Sequence, residues 1–224
     1  MKRTITVKGV GTAKTKPDRV VLNMNLETKD ADYEGAIRAA NEQIADLNAA
    51  LESAGYEKGA LKTMDFNVHM NYEDARDENG MYRSVFAGYM CFHSLKLEFD
   101  FTNEALSQTL SAIAACKAKP QFNLSFTVKD PAAIKEKLLE SAAANARMKA
   151  NILCSASGVV LGELINIDYN WGDVNVFSPT NFTRAKNENA AFGACFDAQL
   201  SPDDIRSTDS VTFTWEIERD ENYK

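Results

Sequence analysis

The sequence predicts an α+β protein: a largely antiparallel sheet with helices packed on one face, built as two diverged β/α units in the order β-β-α-β-β-α-β-α-β-β. Three observations carry this reading. Several segments alternate apolar and polar residues with period two, as half-buried strands do. Three other segments repeat apolar residues every three or four, as helices with one buried stripe do. The alternating segments also meet in pairs across turn residues, the mark of hairpins and of antiparallel pairing.

The elements follow in order. Thr4 to Lys8 alternates into Gly9-Val10-Gly11, which reads as a glycine turn. Pro17-Asp18 opens a second strand, with Val20, Leu22, Met24 and Leu26 on one face. Tyr33, Ile37, Ala40, Ile44, Leu47, Leu51 and Ala54 then form a helical stripe, with Asp30 or Asp32 to cap it and Gly55 to end it. Met64, Phe66, Val68, Met70 and Tyr72 alternate again, and a charged loop over residues 73–80 leads to a return strand from Tyr82 to Phe101. A second helix is expected from Asn103 to Lys117, stopped by Pro120, and a strand at Phe122 to Val128. Asp130-Pro131 marks the start of an alanine-rich third helix that ends at Gly158. Strands at Leu164–Tyr169 and Val211–Ile217 complete the pattern.

No Pro/Gly/Ser-rich linker divides the chain, so residues 1–224 are expected to form a single domain. The long connection 171–206 stands out. It carries Trp171, Phe177, Phe182, Phe192 and Phe196, and connections beyond about 15 residues without secondary structure are uncommon in compact domains. A short helix around Asn187 to Phe196 is expected within it. The stretch is read as functional or mobile, with aromatics folded back on their own sheet as the alternative.

Composition narrows the partners. The chain has 224 residues and a net charge of −7, without a basic cluster beyond the spread Lys8, Lys14, Lys16 and Arg19, so nucleic acid is a poor partner. No apolar run reaches the ~20 residues that span a bilayer. The N-terminal Met1-Lys2-Arg3-Thr4-Ile5-Thr6-Val7 reads as a strand rather than a signal peptide, which places the protein in the cytoplasm. Cys91, Cys116, Cys154 and Cys195 are widely spaced and read as reduced, mostly buried thiols.

No catalytic, cofactor or metal motif is found, so no cofactor is expected. His69, Cys91 and His93 are the one tempting metal set. A hairpin turn centred near Asp77 would set the two imidazoles roughly 25 Å apart and exclude it.

Three groups of residues resemble a known family. Ile5-x-Val7-x-Gly9-x-Gly11 followed by Pro17-Asp18 is similar to the opening signature of the SIMPL domain family. Ala143-x-x-Ala146-x-x-Lys149-Ala150-x-x-Leu153, then Gly158-x-x-Leu161-Gly162, resembles its alanine-rich helix and the exit to a strand. Ser201-Pro202-x-x-Ile205 before Val211-x-Phe213 resembles its final turn and strand. The resemblance implies a fold rather than a mechanism, because these are scaffold positions. It implies a largely uncharacterised family in which many bacterial members look exported and are linked to envelope or oxidative stress. An animal member binds a signalling kinase, and oligomeric assembly occurs.

The function expected from these readings is a non-enzymatic binding or assembly protein, a homo-oligomer or a scaffold that docks a protein partner. The alternative is an enzyme or small-ligand binder with a pocket of carboxylates and aromatics. The expected interface is the first half of the fourth strand together with the aromatic connection: Phe86, Met90, Phe92, Trp171, Phe177 and Phe182. From Val85 to Phe92 both faces of that strand are apolar, with Val85, Ala87, Tyr89 and Cys91 on one and Phe86, Met90 and Phe92 on the other. A bulge at Gly88 would rearrange those faces.

Overall fold

The computed structural model describes residues 3–76, 81–170, 172–184 and 200–219. The order is β1 (Thr4–Thr15), β2 (Arg19–Asp30), α1 (Tyr33–Ser53), β3 (Lys62–Arg76), β4 (Tyr82–Asp100), α2 (Asn103–Ala115), β5 (Gln121–Thr127), α3 (Pro131–Ala156), β6 (Val159–Asp168), β7 (Asn181–Arg184) and β8 (Ile205–Arg219). The α+β class with antiparallel sheets is as the sequence predicts.

The strands divide between two sheets, in the orders β1-β8-β6 and β3-β4-β2-β5-β7. The chain correspondingly forms two compact units. The first comprises the residues up to Pro17, Thr127–Pro179 and those from Asp203; the second comprises Asp18–Phe126 and Thr180–Pro202. The units interleave along the sequence because β1 pairs with the last strand, β8, rather than with its neighbour β2.

In the first unit β1 runs through Gly9 and Gly11 without turning, which corrects the turn read from the sequence. Neither glycine has a positive φ. Their role is space. A Cβ on Gly9 would overlap the backbone carbonyl of Ala142 and stand 2.8 Å from Ala146 Cβ, and one on Gly11 would overlap the carbonyl of Leu138. The glycines of β1 and the alanines of α3 thus bring helix and strand backbones into contact. Val7, Ala142, Ala146, Ala150, Val211, Phe213 and Trp215 pack in this contact.

α3 also seals the free edge of β1. The Val10 amide donates to Asn145 Oδ1 (3.0 Å), the Thr12 amide donates to Ser141 Oγ (3.4 Å), and Lys149 Nζ donates to the Lys8 carbonyl (3.1 Å). Four helical residues rise about 6 Å and two strand residues about 6.6 Å, so side chains at i, i+4 and i+8 meet alternate edge groups of the strand. An edge strand offers unpaired amides and carbonyls to any passing strand, and here α3 occupies three of them.

In the second unit α1 and α2 pack on one sheet face. Their Leu47, Leu51, Leu106, Leu110 and Ile113 meet Leu22, Met24, Leu95, Leu97, Leu124 and Phe126. α2 is capped by Thr102 Oγ1, which accepts from the Ala105 amide. In the first unit, α3 is capped by Asp130 Oδ1, which accepts from the Ala133 amide as its sequence predicts. The long connection is not free of structure, since it contains β7, which pairs with β5. Trp171 and the helix expected around Asn187 to Phe196 lie outside the described residues.

Candidate functional site

The β3–β4 hairpin carries the main departure from a sealed core. β3 is the outer strand of the five-stranded sheet, and nearly every residue from Lys62 to Arg76 is exposed. The same holds for β4 from Tyr82 to Ala87. The alternation that predicted a half-buried strand is present, but its apolar side is uncovered.

Register shows which side that is. Cross-strand partners share a face, and β3–β4 pairs Phe66 with His93, Val68 with Cys91, Met70 with Tyr89 and Tyr72 with Phe86. Cys91 packs against Ala36 and Ala40 of α1, so all these residues lie on the helix-covered face. The cover stops at the start of α1, where the Tyr33 ring meets Tyr89 edge-on at 5.6 Å. Beyond it the face holds a ladder of rings, with Tyr89 to Phe86 at 5.4 Å and Phe86 to Tyr72 at 5.8 Å. Phe66, Met70, Tyr72 and Phe86 are 42%, 57%, 53% and 46% exposed. The opposite face of β3 is polar, with Asp65, Asn67, His69 and Asn71. At the tip, Arg76 donates to the Tyr82 hydroxyl (2.9 Å) and lies over its ring.

Gly88 makes this arrangement. Its φ is +112°, and a Cβ there would overlap the Asp30 carbonyl, so no other residue fits well. The register shifts beside it, between Asn71 and Tyr72. This bulge moves Phe86 to the face of Tyr89 and Cys91 and leaves Met90 and Phe92 on the other, half-buried. The grouping of Phe86 with Met90 and Phe92 is thereby corrected. Of the remaining interface candidates, Phe177 is exposed in the first unit. Phe182 sits on β7 in the second, its ring 6.2 Å from Phe122.

The histidine reading changes too. His69 pairs with Met90 and His93 with Phe66, so the hairpin turns later than the sequence suggested and the two positions are three rungs apart, about 10 Å. What separates them is the sheet itself: His69 faces the polar side and His93 the helix side. His93 is buried, with Nε2 3.0 Å from Thr63 Oγ1 and the ring edge-on to Phe66. Burial holds its pKa below the ordinary histidine value. Among the described residues, no group of three or more His, Cys, Asp or Glu side chains is placed to hold a metal ion. Cys91, Cys116 and Cys154 are free and buried, and Cys195 lies outside the described residues.

The pattern of the SIMPL family, described as proteins of unknown function (DUF541), matches residues 5–215. The chain belongs to the SIMPL family. Its glycine signature in β1 and its alanine-rich α3 are the two surfaces that meet in the first unit. Two relatives are similar: the 26 kDa periplasmic immunogenic protein of Brucella melitensis biotype 1, 27% identical over 164 residues, and that of Brucella abortus strain S19, 26% identical over 164 residues. Each match spans 73% of this chain and 65% of the relative. These relatives are named as periplasmic, which overturns the cytoplasmic placement. Residues Thr4 to Val7 of the N-terminal segment on which that placement rested belong to β1.

Proposed function

We propose that this SIMPL protein is an exported, non-enzymatic assembly protein whose β3–β4 arm docks on the arm of a second copy. Export rests on the periplasmic naming of its relatives. Assembly rests on one observation: an arm that carries an aromatic ladder past the end of its covering helix. Contiguous exposed apolar surface of this kind marks interaction sites.

A second copy suits the face because of its charge. The chain has a net charge of −7, yet among the described residues the charged ones continuing the ladder on this face of β3 are one acid and one base, Asp74 and Arg76. Two such faces meet without accumulating charge.

Fully burying a large apolar side chain contributes roughly 1.5–3 kcal/mol. Phe66, Met70, Tyr72 and Phe86 are about half exposed, so two arms together would gain on the order of 6–12 kcal/mol. Association costs on the order of 4–15 kcal/mol, which makes a single arm contact weak and concentration-dependent.

Sedimentation velocity across a concentration series tests this on three proteins. Wild type is expected to associate, Tyr72→Ser/Phe86→Ser to remain monomeric, and Met90→Ser/Phe92→Ser, altered on the other face, to associate as wild type does. A wild type that is monomeric throughout, or a folded Tyr72→Ser/Phe86→Ser protein of unchanged mass, refutes the proposal. Osmotic-shock fractionation of the native host tests the compartment; retention in the spheroplasts refutes export.

A further inference from the structure

We propose that the first unit holds a binding site for a small zwitterion of the amino-acid or short-peptide class, at the end of β1 where the chain enters β8. The site is a cavity of about 540 Å³ lined by Lys14, Asn175, Phe177, Asp203, Asp204 and Arg206, with Ser178 and Pro179 completing its wall. Ligand sites commonly occupy roughly 300–1,000 Å³.

Its wall is built rather than incidental. Three buried hydroxyls fasten the Asn175–Pro179 stretch and the entry to β8. Thr127 Oγ1 donates to the Val176 carbonyl (2.9 Å), Ser207 Oγ to the Asn175 carbonyl (2.6 Å) and Ser178 Oγ to the Asp203 carbonyl (2.7 Å). The Phe177 amide donates to Asn175 Oδ1 (2.9 Å), which fixes the turn that presents the Phe177 ring, 46% exposed, at the opening. A loop fastened this way spends little ordering entropy when a ligand arrives.

The charges point to the ligand. Lys14 and Arg206 are direct cross-strand partners in the β1–β8 register. Like charges placed opposite each other destabilise a sheet. Lys14 is relieved by Asp204, with Nζ 2.9 Å from Oδ2. That hydrogen bond, with the fields of Lys14, Lys16 and Arg206, holds the Asp204 carboxyl below its ordinary range. The Arg206 guanidinium makes no hydrogen bond or ion pair among the described residues. It is a planar double donor suited to a carboxylate.

The cavity lining holds two cations and two anions, so it is neutral and has both signs within reach. A dianion such as phosphate would meet Asp203 and Asp204 as well as Arg206. A zwitterion places its carboxylate on Arg206, its ammonium on the Asp204 side, and an apolar side chain against Phe177.

The probe is the dipeptide glycyl-phenylalanine, followed by two-dimensional ¹⁵N NMR on the intact protein. Saturable shifts of the Asn175, Phe177 and Ser178 amides are expected at millimolar dipeptide, weakened about tenfold or more in Arg206→Gln. The capped, uncharged N-acetyl amide of the same dipeptide and inorganic phosphate are expected to leave these amides in place. Arg206→Lys, which keeps the charge and loses the planar double donor, is expected to weaken binding while keeping the fold and provides a second variant if Arg206→Gln is poorly folded. The proposal is overturned by no saturable shift up to about 20 mM dipeptide, by equal shifts from the capped form, by phosphate binding in its place, or by wild-type affinity in both variants. Arm association enters none of these readouts.

Discussion

Substituting alanine for Gly9 tests the central packing claim. The new Cβ would lie 2.8 Å from Ala146 Cβ and overlap the Ala142 carbonyl. Carbon atoms rest about 3.5–4.0 Å apart, so α3 must retreat from β1 by about 1 Å. That retreat strains the Val10–Asn145 bond, now 3.0 Å, and loosens the contact holding Val7, Ala142, Ala146 and Trp215. Overpacking of this kind costs about 1–3 kcal/mol. The reduced freedom of the unfolded chain returns about 0.4–1 kcal/mol. A net loss near 1–2 kcal/mol shifts the urea midpoint by about 0.5–1 M, taking a slope of about 2 kcal/mol/M. Trp215 sits inside this contact, so its fluorescence in a Trp171→Phe background follows the first unit directly. Gly172→Ala is the control, because a Cβ there meets nothing within 4 Å. A Gly9→Ala protein with the wild-type midpoint, or a Gly172→Ala protein that loses as much, refutes the packing account.

Gly88→Ala forces a side chain into a +112° φ beside the Asp30 carbonyl, and should cost about 2 kcal/mol or more and lower the hairpin's hydrogen-exchange protection; unchanged protection would contradict the bulge's role. His93 is buried neutral, so as pH falls the unfolded chain takes up the proton first. The stability present above about pH 6.5 is lost as pH drops towards the lower folded-state value. His93→Gln should flatten that part of the stability–pH curve, and an unaltered slope rules the residue out as its source. The chain passes between its two units at four points, 17/18, 126/127, 179/180 and 202/203, so we expect one cooperative unfolding transition. Separate midpoints for Trp215 fluorescence and for amide exchange in β2 and β4 would show independent domains.

The parts of the fold that were legible in the sequence are those whose signal is local. The α1 stripe, the Asp130-Pro131 start of α3 and the alternation of β8 each declare themselves within one element. Gly9 and Gly11 failed as a turn because their reason lies in Ala142 and Leu138, about 130 residues away, and a glycine that makes room looks like a glycine that bends. The register of β3 on β4 was misplaced mainly because the pairing runs on to Arg76 with Tyr82, about four residues past the register that a turn near Asp77 would set; a bulge then adds one more residue without altering composition. Only Gly88 hinted at it, and it decided where Phe86 points. The apolar side of the arm was visible in Phe66, Met70 and Tyr72. That it lies bare was not, because coverage depends on where α1 begins. The cavity beside Arg206 left no motif, since its lining comes from three stretches far apart in the chain.

The three rungs from α3 to the edge of β1 use side chains of growing length: serine, asparagine, lysine. Slip along the axes is only about 0.6 Å per rung, too little to require this growth. With the side chains extended, the reach from Cα lengthens by about 4 Å from Ser141 to Lys149 while the helix advances about 12 Å, which corresponds to an axis diverging from the strand at an angle on the order of 20°. A fourth rung would pair position 153 with Thr6. That position is Leu153, exposed. The spacing of polar residues along one helix is therefore a written measure of an angle between two elements. Substitutions that exchange these lengths, such as Ser141→Lys with Lys149→Ser, would ask the helix to cross the strand the other way.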